Sequence, residues 1–195
     1  WHYDPHWYKG IEYVKDLERG IPYTEDLWVP GYFEIPIKKG ESVIFSAGIK
    51  PVTPRSLNKM YEGEIAGRTC RTSFYNCLKN SAKQFYYKKD DEMYIMAGYP
   101  WLNVRARDEL MALPGCTLSI DHKKDFETIM DTLVSALQRY INTGEKHRNI
   151  KEIDLPDISL WAIWAIQQYK RAYGNEECLE KYGHVVKYLV EAIRE

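Results

Sequence analysis

Between residues 122 and 142 the apolar positions fall on one side of a helix. Phe126, Ile129, Met130, Leu133, Val134, Leu137, Tyr140 and Ile141 step by threes and ones, the stripe of an amphipathic helix. Asn142-Thr143-Gly144 stops it. Pro156 and Asp157 open a second helix over 157–173, which carries Trp161, Trp164 and Tyr169 and stops at Gly174-Asn175. Leu179, Tyr182, Val185, Val186, Leu189 and Ile193 define a last one. Upstream, residues 55–89 lack proline and repeat apolar residues at mixed helical spacings, with Gly63 and Gly67 as interruptions. Met93–Ala97 is a short apolar segment ending in a turn at Gly98-Tyr99-Pro100-Trp101, and Leu110–Leu113 belongs to a helix that must accommodate Pro114 and Gly115. Short connections predict that successive helices are antiparallel neighbours.

The first 52 residues have strand chemistry instead. Tyr32–Ile37 alternates, Lys38–Glu41 makes a turn, and Ser42–Gly48 follows as a second strand, so a β-hairpin is predicted near 30–48. Pro36 has no N–H for a ladder, which places its strand at an edge. Tyr13-Val14-Lys15 reads as a further strand, broken by Glu18-Arg19-Gly20. Two or three strands cannot bury a core alone, so they read as the tail of a β domain. The period switches from two to 3.6 beyond Pro51 and Pro54.

Composition narrows the function classes. The 195 residues allow one domain or one and a part. Lys+Arg is 27 against 28 Asp+Glu, a net charge of -1, which excludes a counterion-release nucleic-acid binder and an acidic tail protein. Six Trp and 16 Tyr point to a flat-faced core, a sugar-facing surface, or both. No apolar run approaches the roughly 18 residues of a membrane span, so no membrane partner is expected. The opening Trp1-His2-Tyr3-Asp4-Pro5 has neither a basic nor an apolar leader region, and the last residues read as mid-helix. Both ends therefore read as internal to a longer chain. Cys70 and Cys77, seven apart on one expected helix face, and the isolated Cys116 and Cys178 fit no metal pattern. Reduced structural cysteines of a cytoplasmic protein, with no metal and no cofactor, are the expectation.

Two stretches carry more specific information. One runs from Ala97 to Leu118 and contains Gly98-Tyr99-Pro100-Trp101, then Arg107-Asp108, then Leu113-Pro114-Gly115. The other is Leu155-Pro156-Asp157-Ile158-Ser159-Leu160-Trp161. In this order they resemble the amylo-α-1,6-glucosidase half of the glycogen debranching enzymes, and Tyr23–Phe33 is similar to the end of the β domain that precedes it there. Arg105-Ala106 stands where the family usually has Trp-Gly, and Pro156-Asp157-Ile158 where it has Val-Asp-Ala. The resemblance implies a mainly α fold with an N-terminal β portion. Residues 1–52 would be the end of a β-sandwich domain and a linker, and residues 53–195 the first helices of an (α/α)6 toroid. It implies hydrolysis of α-1,6 branch points in a branched α-glucan such as glycogen or limit dextrin, with inversion. The catalytic acid and base would lie later than this segment, which holds no catalytic residue of its own.

What the resemblance assigns here is a glucose-binding set: Trp101, Arg107, Asp108 and Asp157. Arg107 and Asp108 hydrogen-bond glucose hydroxyls in that assignment; by sequence alone they are also an ion pair at a helix start. Asp157 is equally a helix N-terminal residue. Trp161 and Trp164 suit core or sugar platform, and His147 and Arg148 occupy the loop before them. Two other functions stay open: a non-catalytic α-glucan-binding or regulatory relative, suggested by the absent Trp-Gly, and a helical interaction scaffold. Finally, the stripe Ile129, Leu133, Leu137 and Tyr140, with Trp161, Trp164, Val186 and Leu189, offers more apolar surface than these helices are expected to cover. Self-association through exposed helix faces, or an exposed apolar patch, is predicted.

Overall fold

A computed structural model describes residues 1–99 and 101–194, so Pro100 of the expected turn and Glu195 lie outside the described residues. Among the described residues the fold is mainly α, with three two-stranded sheets. Among the described residues no helix is long and apolar enough to cross a membrane. Two compact units divide the chain, Trp1–Ile65 and Ala66–Glu195.

In the first unit β1 (His2–Glu12) and β2 (Thr24–Tyr32) pair antiparallel, with two bulges. Trp7 lies opposite Trp28 with ring centroids 5.3 Å apart, a cross-strand aromatic pair that helps hold the ribbon. The Tyr13-Val14-Lys15 segment opens a helical turn, α1 (Val14–Glu18), rather than a strand. The hairpin expected near 30–48 does not form. β2 ends at Tyr32, and residues 33–53 contain neither strand nor helix. The Lys38–Glu41 turn itself is present, Glu41 N donating to Lys38 O at 3.0 Å. Its flanks do not pair because β2 already pairs with β1, Pro36 brings no donor, and an isolated ribbon is marginal. Helix α2 (Leu57–Ala66) follows. No residue among the first 65 is buried, as expected of two strands without an opposing layer.

The second unit has a core. Helix α3 (Phe74–Gln84) starts at Ser73, whose side chain accepts from Asn76 N. Cys70 precedes this helix, so it shares no helix face with Cys77; all four cysteines are free. β3 (Tyr86–Lys89) and β4 (Glu92–Ile95) form a tight hairpin, so the Met93–Ala97 segment supplies a buried strand. β5 (Val104–Arg105) leads into α4 (Ala106–Cys116), which carries Pro114 in its last turn. Then come α5 (Lys123–Thr143), β6 (Ile150–Lys151), α6 (Ile158–Tyr173) and α7 (Asn175–Arg194). Only Gly174 separates the last two, which pack as a helical hairpin.

Phe126 of α5, Tyr169 of α6 and Tyr182 of α7 meet at the centre. The Phe126 and Tyr169 rings stack at 5.2 Å, and Tyr182 meets Tyr169 edge-on at 5.3 Å. The apolar set expected to lack cover is covered in part. Ile129, Leu133, Leu137 and Leu189 are buried, and Tyr140, Trp161 and Val186 are half-buried; Trp164 is 37% exposed. The missing layer in that expectation was β4, which packs on α5.

Gly144 ends α5 at φ 73, a left-handed conformation, and a Cβ there would meet no atom within 4 Å. Gly144→Ala should therefore cost about 1 kcal/mol, purely through backbone strain. Urea midpoints of the two proteins check this, and equal midpoints would show that the helix end rearranges instead.

Candidate functional site

Two strand-to-helix junctions lie side by side. β5 and β6 pair in parallel, Val104 with Ile150 and Arg105 with Lys151. Val104 and Ile150 are buried and anchor the pair, and the chain leaves its ends toward α4 and α6. Opposite charges sit on the two exits, Arg105 and Arg107 on the first, Glu152 and Asp157 on the second.

Two guanidinium–carboxylate forks tie the exits together. Arg105 donates from Nε to Glu152 Oε2 at 3.0 Å and from Nη2 to Oε1 at 2.6 Å. Arg107 Nε lies 2.8 Å from Asp157 Oδ2, and its Nη2 donates to Oδ1 at 2.9 Å. Such bidentate pairs fix orientation as well as charge. Trp161 Nε1 adds a third hydrogen bond to Asp157 Oδ2 at 3.1 Å. Arg107 first, and then Trp161, hold the Asp157 carboxyl below its ordinary range. Glu152 adopts φ 58 directly after β6, a left-handed conformation found where geometry is imposed by surroundings.

Asp157 occupies the N-cap position of α6 yet makes no capping bond, because its oxygens are turned to Arg107 and Trp161. Arg107 and Asp108 do not pair with each other. Asp108 Oδ2 lies 3.5 Å from Arg105 Nε, so Asp108 borders the other fork. The structure thus brings Arg107, Asp157 and Trp161 into contact and sets Asp108 beside Arg105. Trp101 stands apart: the residue is 78% exposed, and its indole makes no ring contact or hydrogen bond among the described residues. Its backbone is held by Asn103, whose Nδ2 donates to Trp101 O at 3.3 Å. Trp161 and Trp164 meet edge-on at 5.4 Å.

The His147 loop is pinned to the β3–β4 hairpin. His147 Nε2 lies 3.4 Å from Glu92 Oε1, Asn149 Nδ2 donates to the Tyr94 hydroxyl at 3.0 Å, and that hydroxyl donates to Glu92. The Tyr94 bond lowers the Glu92 pKa.

Glu109, in the first turn of α4, has the opposite environment. It is fully buried; its Oε1 accepts from Ile95 N at 2.7 Å and its Oε2 has no partner. Burial pushes its carboxyl well above the ordinary range. A raised carboxyl pKa suits a general acid, but a group with no exposed surface cannot reach a substrate. Neither Glu109 nor the Arg105–Glu152 fork was legible from residue types. The available signal was weak, an Arg and a Glu one residue beyond or at the ends of two very short strands.

Chemically, the forks present alternating donors and acceptors. Arg107 keeps N–H groups uncommitted to Asp157, and the carboxylate oxygens keep second lone pairs. Each cation is matched by a carboxylate, which suits neutral, hydroxyl-rich ligands. A family model described as glycogen debranching enzyme N terminal matches residues 1–44, and one described as amylo-alpha-1,6-glucosidase matches residues 79–195. No curated protein and no solved structure gives a significant match.

Proposed function

Because the chain belongs to the glycogen debranching enzyme family, we propose that Trp101, Arg107, Asp108 and Asp157 form the glucose-holding part of an amylo-α-1,6-glucosidase. Its substrate is a branched α-glucan in the cytoplasm. The observation that carries this is the fork from Arg107 to Asp157, supported by Trp161, which joins residues 50 apart in sequence. In this proposal residues 1–52 are the end of a β-sandwich domain and its linker, and residues 53–195 begin an (α/α)6 toroid. Hydrolysis with inversion needs two carboxyls about 6.5–9.5 Å apart with room for a water, one of them protonated near neutral pH. Glu109 is enclosed, and Asp157 is held ionised, so neither fits the acid. The segment supplies sugar contacts, and the acid and base come from sequence beyond it.

The test uses the intact protein and glucose release from a branched limit dextrin. Asp108→Asn should lower turnover by about tenfold or more, because a charge-assisted hydrogen bond to a sugar hydroxyl is lost. The melting temperature should hardly change, since Asp108 and Arg105 are both substantially exposed. Unchanged turnover with a marked loss of stability would mean that Asp108 only supports the helix start.

A second function is favoured by one observation. Arg105, at the family's Trp position, is committed to Glu152. A non-catalytic relative would bind limit dextrin and release no glucose.

A further inference from the structure

On the flank of the same strand pair a cavity of about 420 Å³ opens beside β3 and the starts of β5 and β6. That volume lies within the roughly 300–1,000 Å³ typical of small-molecule sites. Tyr87, Met96, Asn103, Arg148, Asn149 and Lys151 line it.

Its charge distinguishes it from the forks. There every guanidinium has its carboxylate. Among the described residues, no ion pair joins Arg148 or Lys151 to any carboxylate, although both line this one cavity. Asn149 of the lining is itself held by Lys89, whose Nζ donates to its Oδ1 at 3.1 Å. The adjoining carboxylates are committed elsewhere, Glu152 to Arg105 and Glu92 to Tyr94 and His147. An anion entering the cavity meets two cations that no carboxylate neutralises. Guanidinium and ammonium groups together are the donors that phosphate oxygens accept from. The cavity is not purely ionic: Tyr87, Met96 and Val104 are among its lining residues, and an aromatic ring is a surface on which a sugar ring can lie.

We propose that this cavity binds the phosphate ester of a sugar, with the phosphate on Arg148 and Lys151 and the sugar ring against Tyr87. That chemistry has two sources, a free hexose phosphate or a phosphomonoester carried on a glucan chain. The assignment goes beyond the glucose-holding surface and uses neither Arg107 nor Asp157.

The test is calorimetric titration of the intact protein with glucose 6-phosphate, inorganic phosphate and glucose, and with a phosphorylated glucan before and after phosphatase treatment. Glucose 6-phosphate should bind about tenfold or more tightly than inorganic phosphate, and glucose should not displace it. The R148Q/K151Q variant should weaken glucose 6-phosphate binding about tenfold or more while leaving the melting temperature of the free protein unchanged or raised. Tyr87→Ala should weaken glucose 6-phosphate and leave inorganic phosphate unaffected. Asp157→Asn should leave all of this intact, so that failure of the glucose-holding proposal is separately visible. Tighter binding of the phosphorylated glucan, lost on phosphatase treatment, assigns the chain-borne ester; tighter binding of glucose 6-phosphate assigns the free one. Absence of binding at low ionic strength, or binding indifferent to R148Q/K151Q, overturns the proposal.

Discussion

Arg107→Gln in the intact protein should lower kcat/KM for a branched limit dextrin by about 10- to 100-fold and move the acid side of the pH profile upward. Arg107 does two things at once. In the proposed site it offers N–H donors toward a sugar, and it holds Asp157 oriented through two hydrogen bonds. Asp157 has a folded-state pKa below its ordinary value, chiefly because of Arg107. Its ionised form is therefore fully present above the ordinary carboxylate range and is lost only as pH falls through the lowered value. Removing the guanidinium leaves the Trp161 N–H and a main-chain N–H to favour the carboxylate, so the loss begins at a higher pH. Stability should change little, because both ends of the fork are more than a third exposed and water screens them. Rate profiles across acidic pH, with melting temperatures alongside, check the expectation. A profile that does not move, together with a large fall in melting temperature, would show a brace rather than a sugar contact. In a non-catalytic relative the same shift would appear in limit-dextrin affinity.

The helices were legible because their periodicity is strong and their stops are local. The α5 stripe, Gly144 after it and Gly174 after α6 each act within one turn of the chain, and the structure has them where the pattern put them. Strands fared worse because a strand is completed by its partner. Tyr32–Ile37 alternates as well as any strand, yet β2 ends at Tyr32 and pairs with His2–Glu12, a segment whose histidines, tryptophan and tyrosines show no clean alternation. β5 and β6, two residues each, have no signal of length at all. The β5–β6 pair nevertheless positions the candidate site. Motif order singled out Arg107, Asp108 and Asp157, but not their partners. That Asp157 faces Arg107 depends on the parallel pairing of residues 46 apart, which no local pattern encodes, whereas Asp108 reaches Arg105 through the local i,i+3 spacing. Glu109 was hidden for a related reason. A glutamate in the first turn of a helix ordinarily reads as a solvated dipole partner, and its burial here comes with tertiary packing, β4 supplying the Ile95 N–H.

Glu109→Gln should stabilise the protein above neutral pH and remove much of its pH dependence. β3 pairs along one edge of β4, and the Ile95 N–H on the other side would be an orphaned donor without Glu109. Desolvation raises the carboxyl pKa well above its ordinary value of 4.5, and the Ile95 hydrogen bond only partly offsets this. The sign follows from linkage. Below the unfolded-state pKa both states hold the proton, and burial carries no ionisation penalty. As pH rises, the unfolded chain releases the proton and the folded chain keeps it, so stability falls by up to about 1.4 kcal/mol per pH unit until the folded pKa is passed. Gln has the same shape, and its amide oxygen can still accept from Ile95. Its amide N–H groups face the pocket in which Oε2 has no partner, so that polar group is unsatisfied in both proteins. What changes is the proton. Denaturant midpoints from pH 4 to pH 8 should therefore converge for the two proteins at the acid end and separate steadily toward pH 8, with the variant the more stable. Parallel curves, or a variant that is weaker at pH 8, would mean that Glu109 is ionised in the fold and that a water or a shifted main chain satisfies Oε2.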